Sequence, residues 1–266
     1  MLAARYDALL FDLDGVVYRG DEPVPGAPET IGALRRAGAR IVFLTNNSSR
    51  TPQQVSAKLG AMGMPSPPEE VVTSATATAD LLAARGGGTA FVMGGDGVVG
   101  ALTDAGLQVL DGEPESVDLV VVGIDDDLTY ARLRTACLLV HRGARFVATN
   151  ADPTFPGPRS ELWPGAGALV AAITTATGVE PEVVGKPHAP LFHAALHRAG
   201  GTNPLVIGDR LDTDIAGAAA LGWDTLLVLS GVDTEEELAD SPYRPTYVAA
   251  DVRALLLDDV VRVTGP

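Results

Sequence analysis

Short apolar runs alternate with amphipathic stretches of about ten residues along most of this chain, and this alternation constrains the fold more than any other feature. The opening run, Ala8–Phe11, has the composition of a buried strand, and residues 28–37 have the period of a helix with proline in its first turn. Strands and helices that take turns in this way predict an α/β protein with a largely parallel sheet. The pattern returns in the last third, where residues 205–207 and 225–229 resemble strands.

The two ends of the chain are predicted to form one discontinuous, doubly wound core that is interrupted by an inserted α/β unit. Three consecutive glycines at 86–88 form a flexible joint after the first group of elements, and the strand and helix pattern of the core resumes near residue 180. We therefore predict a core made of residues 1–79 and 179–266, with residues 80–178 as the inserted domain.

Charge and cysteine content exclude several classes of protein. Acidic residues outnumber basic ones by 34 to 19, so the formal net charge is −15, and we expect neither a nucleic-acid partner nor a membrane partner. The longest apolar runs fall far short of the roughly 20 residues that span a bilayer. Acids at Asp7, Asp12 and Asp14 argue against a signal peptide, and the single Cys137 fits a reducing compartment. These features predict a cytoplasmic protein.

Polar side chains follow three of the predicted strands at the point where each strand ends. One DxDG sequence alone has the composition of an ordinary turn, but recurrence at three strand ends favours a site. Because ligands bind at the carboxyl ends of strands in open α/β sheets, we expect these side chains to lie together there. Their oxygens suit a hard cation such as Mg²⁺. The three clusters are Asp12 and Asp14; Thr45, Asn46, Asn47 and Ser48; and Asp209, Asp212 and Asp214.

Lys186 is expected to add a fixed positive charge to this site. The chain contains seventeen arginines but two lysines, Lys58 and Lys186, and Lys186 stands between Gly185 and Pro187. A solvent-exposed surface lysine is the alternative interpretation.

These four pieces resemble the four sequence motifs of the haloacid dehalogenase superfamily of phosphotransferases. They are DLDGV at 12–16, TNNS at 45–48, GKP at 185–187 and GDRLDTD at 208–214. The stretches GIDDDLTYARL, TNADPTFPGP and PGAGALVAA resemble, more narrowly, the branch of NagD-type phosphatases, 4-nitrophenylphosphatases, phosphoglycolate phosphatases and glycerol 3-phosphate phosphatases. The likeness runs from about residue 6 to about residue 257. It implies a Rossmann-like core with an inserted α/β cap of the kind that the family calls C2.

The resemblance implies a Mg²⁺-dependent phosphatase that works through an aspartyl-phosphate intermediate. Asp12 would be the nucleophile, and Asp14 would be the general acid and base. The residues that it implies for phosphate binding are Thr45, Asn46, Asn47 and Lys186. The metal ligands that it implies are Asp12 and Asp209 by side chain, Asp14 by its backbone carbonyl, and Asp214 as a ligand or a support beside the metal.

Motif spacing places the cap. About 30 residues separate the first two motifs, too few for a folded domain, whereas about 140 separate the second from the third. We therefore expect the cap between the second and the third motif. A cap of this family is a lid over the non-phosphate part of the substrate, so we expect Asp152 and Phe155 to face the substrate, with a plain connecting loop as the alternative. The resemblance implies that the substrate is a small phosphorylated metabolite, and glycerol 3-phosphate, 2-phosphoglycolate, sugar phosphates, nucleotides and pyridoxal phosphate all stay open. By analogy we expect a homodimer formed through the cap.

Two other functions compete with this interpretation. Gly95, Gly97 and Gly100 spell the GxGxxG of a dinucleotide-binding site directly after a predicted strand, although a tight turn between strand and helix explains them as well. The second competitor is a protein of the same fold that binds a phosphorylated ligand without turnover. The candidate nucleophile at Asp12 argues against it, because binding alone does not require a nucleophile beside a metal.

Overall fold

The computed structural model describes residues 1–157, 161–258, 260, 262 and 263; Pro158 of the TNADPTFPGP stretch lies outside the described residues. The strands are β1 (Ala8–Phe11), β2 (Tyr18–Arg19), β3 (Glu22–Pro23), β4 (Ile41–Thr45), β5 (Val71–Thr73), β6 (Thr89–Met93), β7 (Gln108–Leu110), β8 (Leu119–Val122), β9 (Arg145–Ala148), β10 (Thr154–Pro156), β11 (Leu162–Pro164), β12 (Glu182–Val183), β13 (Pro204–Gly208), β14 (Asp224–Val228) and β15 (Tyr247–Ala249). The α-helices are α1 (Ala27–Arg36), α2 (Pro52–Ala61), α3 (Ser74–Ala84), α4 (Asp96–Asp104), α5 (Tyr130–His141), α6 (Ala166–Thr177), α7 (Ala189–Ala199), α8 (Ala216–Ala220) and α9 (Glu235–Asp240).

The chain folds into two compact units. Unit 1 comprises Met1–Thr45, Pro52–Val72 and the described residues from Lys186 onwards. Unit 2 comprises Asn46–Thr51 and Thr73–Gly185. The domain limits that we place after residues 79 and 178 stay a prediction.

Unit 1 is built on a sheet with the strand order β15-β14-β13-β1-β4-β5. β1 pairs in parallel with β13 on one side and β4 on the other, so that Phe11 lies beside Ile207 and Phe43. Strands from both ends of the chain therefore share one sheet, as the returning sequence pattern predicts. The doubly wound α/β fold class is confirmed.

Burial of apolar side chains explains why these segments form their elements. All four residues of β1 are buried, as a strand covered on both faces requires. α1 buries Ala27, Thr30, Ile31 and Leu34, which recur at the spacing of one helical face. Each large side chain that is fully buried in this way stabilises the fold by roughly 1.5–3 kcal/mol relative to an exposed one.

Unit 2 contains a second parallel sheet, with the order β12-β9-β8-β6-β7. α5 begins after Thr129, whose side chain accepts the N–H of Arg132, as expected for a helix N-cap. β10 and β11 form an antiparallel hairpin in which Phe155 lies opposite Trp163. Of the helices in the described part of the chain, none combines the length and hydropathy that a membrane crossing requires.

The segment after β13 differs from its prediction. The sequence predicts a helix over 215–221, whereas α8 spans only Ala216–Ala220 and follows a π-helical turn over Leu211–Ile215. In this turn the N–H of Ile215 donates to the carbonyl of Arg210, five residues earlier. Such turns are rare in proteins, and many of those that occur lie at functional sites. This one contains the LDTD of the fourth motif.

Candidate active site

The carboxyl ends of β13, β1 and β4 lie side by side in unit 1. Asp209 follows β13, Asp12 follows β1 and Thr45 ends β4. All three side chains are buried. The structure therefore brings together the strand ends that the sequence predicts to meet, at the edge where ligands bind in open α/β sheets.

Lys186 lies between two of the buried carboxylates. Its Nζ donates to Asp12 Oδ1 at 2.5 Å and to Asp214 Oδ1 at 2.7 Å. Lys186 is 5 % exposed, which excludes the surface lysine of the alternative interpretation. Side-chain oxygens of Asp12, Asp209 and Asp214 lie within 4.8 Å of one another. Three carboxylates against one ammonium group leave this cluster with excess negative charge, and its oxygen donors fit a divalent hard cation.

Burial shifts the pKa values of this cluster. It raises the pKa of Asp12 well above its usual value, and the charges of Asp214 and Asp209 add to this rise against the opposing charge of Lys186. Burial and the charge of Asp214 raise the pKa of Asp209 to about 7. Burial alone would lower the pKa of Lys186, but Asp12 and Asp214 outweigh it and raise that pKa. A further positive charge close to the cluster would therefore stabilise the ionised form of these carboxyl groups.

Asp14 differs from Asp12, Asp209 and Asp214 because its side chain is exposed. It lies in a tight loop in which the carbonyl of Leu13 accepts the N–H of Val17 at 3.0 Å. The N–H of Gly15 donates to the carbonyl of Tyr18 at 2.8 Å and closes the loop. The Asp14 side chain is therefore in contact with solvent, unlike the buried carboxyl of Asp12.

Two glycines allow the backbone to enclose Asp209. Gly15 has a φ of +81°, and a Cβ at Gly15 or at Gly231 would overlap the Asp209 carboxylate. The same carboxylate accepts the N–H of Val232 at 2.8 Å. Glycine at both positions is therefore required for the close packing that fixes Asp209.

Substituting Gly231 with Ala should displace Asp209 and lower the free energy of unfolding by about 1–3 kcal/mol, the usual range for overpacking a core. Gly60→Ala is the matched control, since a Cβ there meets no atom within 4 Å and α2 gains a better helix former. Urea denaturation of both variants tests the difference. A Gly231→Ala protein as stable as Gly60→Ala would contradict the close packing around Asp209.

Sequence reasoning missed two polar residues that support the site. Ser230 Oγ donates to the carbonyl of Gly15 at 2.7 Å. The Asp233 carboxylate accepts the N–H of Leu211 at 2.5 Å, and the Asp233 N–H donates to the carbonyl of Asp209 at 3.1 Å. Both residues follow β14, so they form one more polar cluster after an apolar strand, and the rule used for the other three strands would have found them.

The other predicted site residues lie in unit 2. Asn46 Nδ2 donates to the Asp152 carboxylate, at 3.0 Å to Oδ2 and 3.2 Å to Oδ1. Asn47 Oδ1 accepts the N–H and the hydroxyl of Ser49, at 2.9 and 2.7 Å, and so shapes its own turn. Phe155 packs edge-on against Trp163, with ring centroids 5.9 Å apart. The structure thus joins Asn46 to Asp152, whereas Phe155 belongs to an aromatic pair on the hairpin.

The GxGxxG segment has a structural explanation within unit 2. A Cβ at Gly97 would overlap the backbone of Ser48 and Ser49. In a dinucleotide site the corresponding glycine permits close approach of a pyrophosphate, but here the chain itself makes that approach. A dinucleotide site also needs an acidic residue about 20 residues further on, at the end of the next strand. The candidate, Asp118, directly precedes β8, and its carboxylate accepts the N–H and the hydroxyl of Thr89 at 2.7 and 2.8 Å. These contacts favour the tight-turn interpretation over dinucleotide binding.

The fold and the carboxylate cluster together define a doubly wound α/β enzyme whose site suits a divalent cation. A sequence model described as haloacid dehalogenase-like hydrolase matches residues 9–108, and one described as HAD-hydrolase-like matches residues 183–255. The chain belongs to the haloacid dehalogenase-like hydrolase family.

Relatives of known name and structure agree with this assignment. The acid sugar phosphatase of Staphylococcus saprophyticus is 39% identical over 255 residues, which are 95% of this chain and 97% of that protein. The crystal structure of a Mycobacterium tuberculosis glycerol phosphate phosphatase in complex with magnesium has a TM-score of 0.90 and 39% identity, covering 96% of this chain and 77% of that one. NagD from E. coli K-12 has a TM-score of 0.86 and 34% identity, covering 93% and 97%. The predicted family, fold class and enzyme class, a phosphatase, are confirmed.

Proposed function

We propose that this chain is a Mg²⁺-dependent phosphatase that hydrolyses small phosphate monoesters through an aspartyl-phosphate. The observation that carries the proposal is the buried Asp12 carboxylate, paired with Lys186 inside a group of three carboxylates. Acid sugar phosphatases and a glycerol phosphate phosphatase are among the similar proteins, so sugar phosphates and glycerol phosphate are the first substrates to test.

Asp12, Asp209 and Asp214 are the side chains that would hold Mg²⁺, together with the backbone carbonyl of Asp14. The donor set supports this assignment because it consists of hard oxygen ligands that carry more negative charge than Lys186 balances. When bound, the metal neutralises the repulsion between the Asp12 carboxylate and the phosphate dianion.

The residues of the chain supply the remaining chemistry. A carboxylate oxygen of Asp12 attacks phosphorus, the ester P–O bond breaks, and Asp14 gives its proton to the leaving oxygen. Asp14 then takes a proton from water as the water oxygen attacks phosphorus and the bond to Asp12 breaks, which releases inorganic phosphate. Thr45, Asn46 and Asn47 bind the phosphate oxygens, and Lys186 balances the charge of the transferring group.

The test is phosphate release from 4-nitrophenyl phosphate, glycerol 3-phosphate, 2-phosphoglycolate and a series of sugar phosphates, each with Mg²⁺ and with EDTA. We expect turnover that requires Mg²⁺ and a ranking that names the substrate class. Binding of these esters without phosphate release would instead favour the non-catalytic phosphate binder.

The apparent affinity for Mg²⁺ should rise as the pH rises through about 7. The pKa of Asp209 is raised to about 7, and metal binding must displace the proton that the carboxyl holds below that pH. In the metal-free protein the same raised pKa contributes stability that is fully present below the unfolded pKa of 3.8 and is lost as the pH rises through about 7. Mg²⁺ titrations and thermal unfolding of the metal-free protein from about pH 3.5 to about pH 8, a range that includes both pKa values, test both statements. A metal affinity that does not change over this range would contradict the first statement, and an unfolding temperature that does not change would contradict the second.

Phe155 is proposed to contribute to substrate selection from the β10–β11 hairpin. Its ring packs on Trp163, which is 42 % exposed, so the pair presents an aromatic surface that an organic substrate group can contact. Phe155→Ala should change the ratio of kcat/KM values between two natural esters more than it changes hydrolysis of 4-nitrophenyl phosphate. Equal effects on all substrates would count against this role.

We also propose that the protein is cytoplasmic and forms a homodimer through unit 2. The single free Cys137 supports a reducing compartment. The dimer is supported by Tyr130 and Leu138, two exposed apolar side chains that lie about two turns apart on α5 and could form an apolar contact. Sedimentation equilibrium of the wild type and of Tyr130→Glu should show a dimer that the variant weakens. A wild-type monomer would contradict the dimer.

A further inference from the structure

Polar groups of unit 2 fix Asn46 on several sides. Its side-chain Nδ2 donates to both carboxylate oxygens of Asp152, and its carbonyl accepts Ser74 Oγ at 2.6 Å and Asn150 Nδ2 at 2.7 Å. Asn150 and Asp152 both follow β9. The segment that begins at Asn46 is therefore attached to the carboxyl edge of the unit 2 sheet.

The orientation of the Asn46 amide is determined by contacts at both of its ends. Nδ2 lies on the Asp152 carboxylate, while Oδ1 lies so close to Gly185 that a Cβ there would be 2.6 Å from it. Rotating the amide by half a turn would place Oδ1 against the Asp152 carboxylate, where two acceptors repel each other. Asp152 thus selects one of the two amide orientations.

Asp152 is itself held firmly. Its N–H donates to Asn150 Oδ1 at 3.1 Å, and its carbonyl accepts the N–H of Gly167 at 2.9 Å. A Cβ at Gly165 would overlap the same carbonyl, so the backbone at the start of α6 packs directly against Asp152. A residue held in this way can impose its position on a neighbour.

We propose that Asp152 is a positioning residue that acts through Asn46: it holds the Asn46 side chain, and thereby keeps the residue in the orientation that binds the phosphate group. This inference rests on the proposed function, in which Asn46 contacts phosphate. It separates the role of Asp152 from that of Phe155. Because every substrate carries the same phosphate group, loss of Asp152 affects all esters alike and also affects inorganic phosphate.

The test is a double-mutant cycle on Asp152→Ala and Asn46→Ala, read by calorimetric titration of inorganic phosphate in the presence of Mg²⁺. We expect Asp152→Ala to weaken phosphate binding about tenfold, the size expected for hydrogen bonds to a charged group. The double variant should bind phosphate no more weakly than Asn46→Ala alone. Asp152→Asn should recover part of the affinity, since its amide oxygen still accepts Asn46 Nδ2.

Steady-state kinetics give the second readout. Asp152→Ala should raise KM for 4-nitrophenyl phosphate and for glycerol 3-phosphate by the same factor. We expect kcat to change less than about threefold, because weaker binding of the phosphate group in both the ground state and the transition state raises KM without changing kcat. Asp104→Ala, which removes an exposed carboxylate at the end of α4, is the control and should match the wild type.

Two results would overturn the inference. One is a double variant whose loss of phosphate affinity equals the product of the two single losses, since the residues would then act independently. The other is an Asp152→Ala protein with altered selectivity between the two esters and unchanged phosphate affinity. If the wild type turns over neither ester, the proposed function fails, whereas the phosphate affinities of the four proteins still decide the role of Asp152.

Discussion

Asp12→Asn should abolish turnover while the protein stays folded. An amide oxygen is a poor nucleophile, so we expect kcat to fall by at least about 10⁴-fold, which is a small part of the roughly 10²¹-fold acceleration possible for phosphate monoesters. The substitution keeps the size of the side chain, and its oxygen still accepts the Lys186 ammonium group. Because burial raises the pKa of Asp12, a neutral side chain there should not lower the stability of the metal-free protein.

Single-turnover phosphate release and thermal unfolding measure these two effects separately. Asp21→Asn is the matched control because its side chain is 97% exposed, and it should retain wild-type activity. Substantial residual turnover by Asp12→Asn would rule out the aspartyl-phosphate mechanism. An unfolded variant would show instead that the carboxylate is needed for the core.

Lys186→Met should remove most activity and also destabilise the protein. It leaves the buried carboxylates of Asp12 and Asp214 without their ammonium partner, and breaking a buried pair in this way typically costs about 3–5 kcal/mol of unfolding free energy. We expect kcat/KM to fall at least about 10³-fold, the loss typical of one electrostatic stabiliser at the reacting group.

The loss of stability should depend on pH and on Mg²⁺. Without Lys186 the carboxyl pKa values rise further in the folded protein, so the variant is most stable at low pH and loses stability as the pH rises. Bound Mg²⁺ should recover part of the loss. Lys58→Met is the control, since Lys58 lies 3.9 Å from the Tyr18 ring centroid and 3.8 Å from the exposed Asp21 carboxylate and should contribute less than about 1 kcal/mol. Equal unfolding free energies for the two lysine variants would contradict the buried cluster.

Local pattern predicted several of the regular elements. The sequence predicts a strand over Ala8–Phe11 and helices over Tyr130–His141 and Ala166–Thr177, and β1, α5 and α6 have these bounds, because apolar period and capping residues act within one or two turns. The π-helical turn at Leu211–Ile215 was not predicted, since its LDTDI sequence is compatible with an ordinary helix start. β15 was also missed because a strand of three residues, of which Tyr247 is buried and the other two are half-buried, is too short to show a period.

The strand pattern alone predicts that carboxylates and hydroxyls gather at one edge of a parallel sheet, since the strands of such a sheet end on the same side. Which atoms meet there depends on how the chain folds: Lys186 contacts Asp12 across 174 positions, and Asn46 contacts Asp152 across 106. Burial, which sets the pKa values of the cluster, and the close packing at Gly15 and Gly231 likewise appear only once the chain has folded. Contacts between distant residues depend on how whole elements pack, and no local pattern specifies that packing.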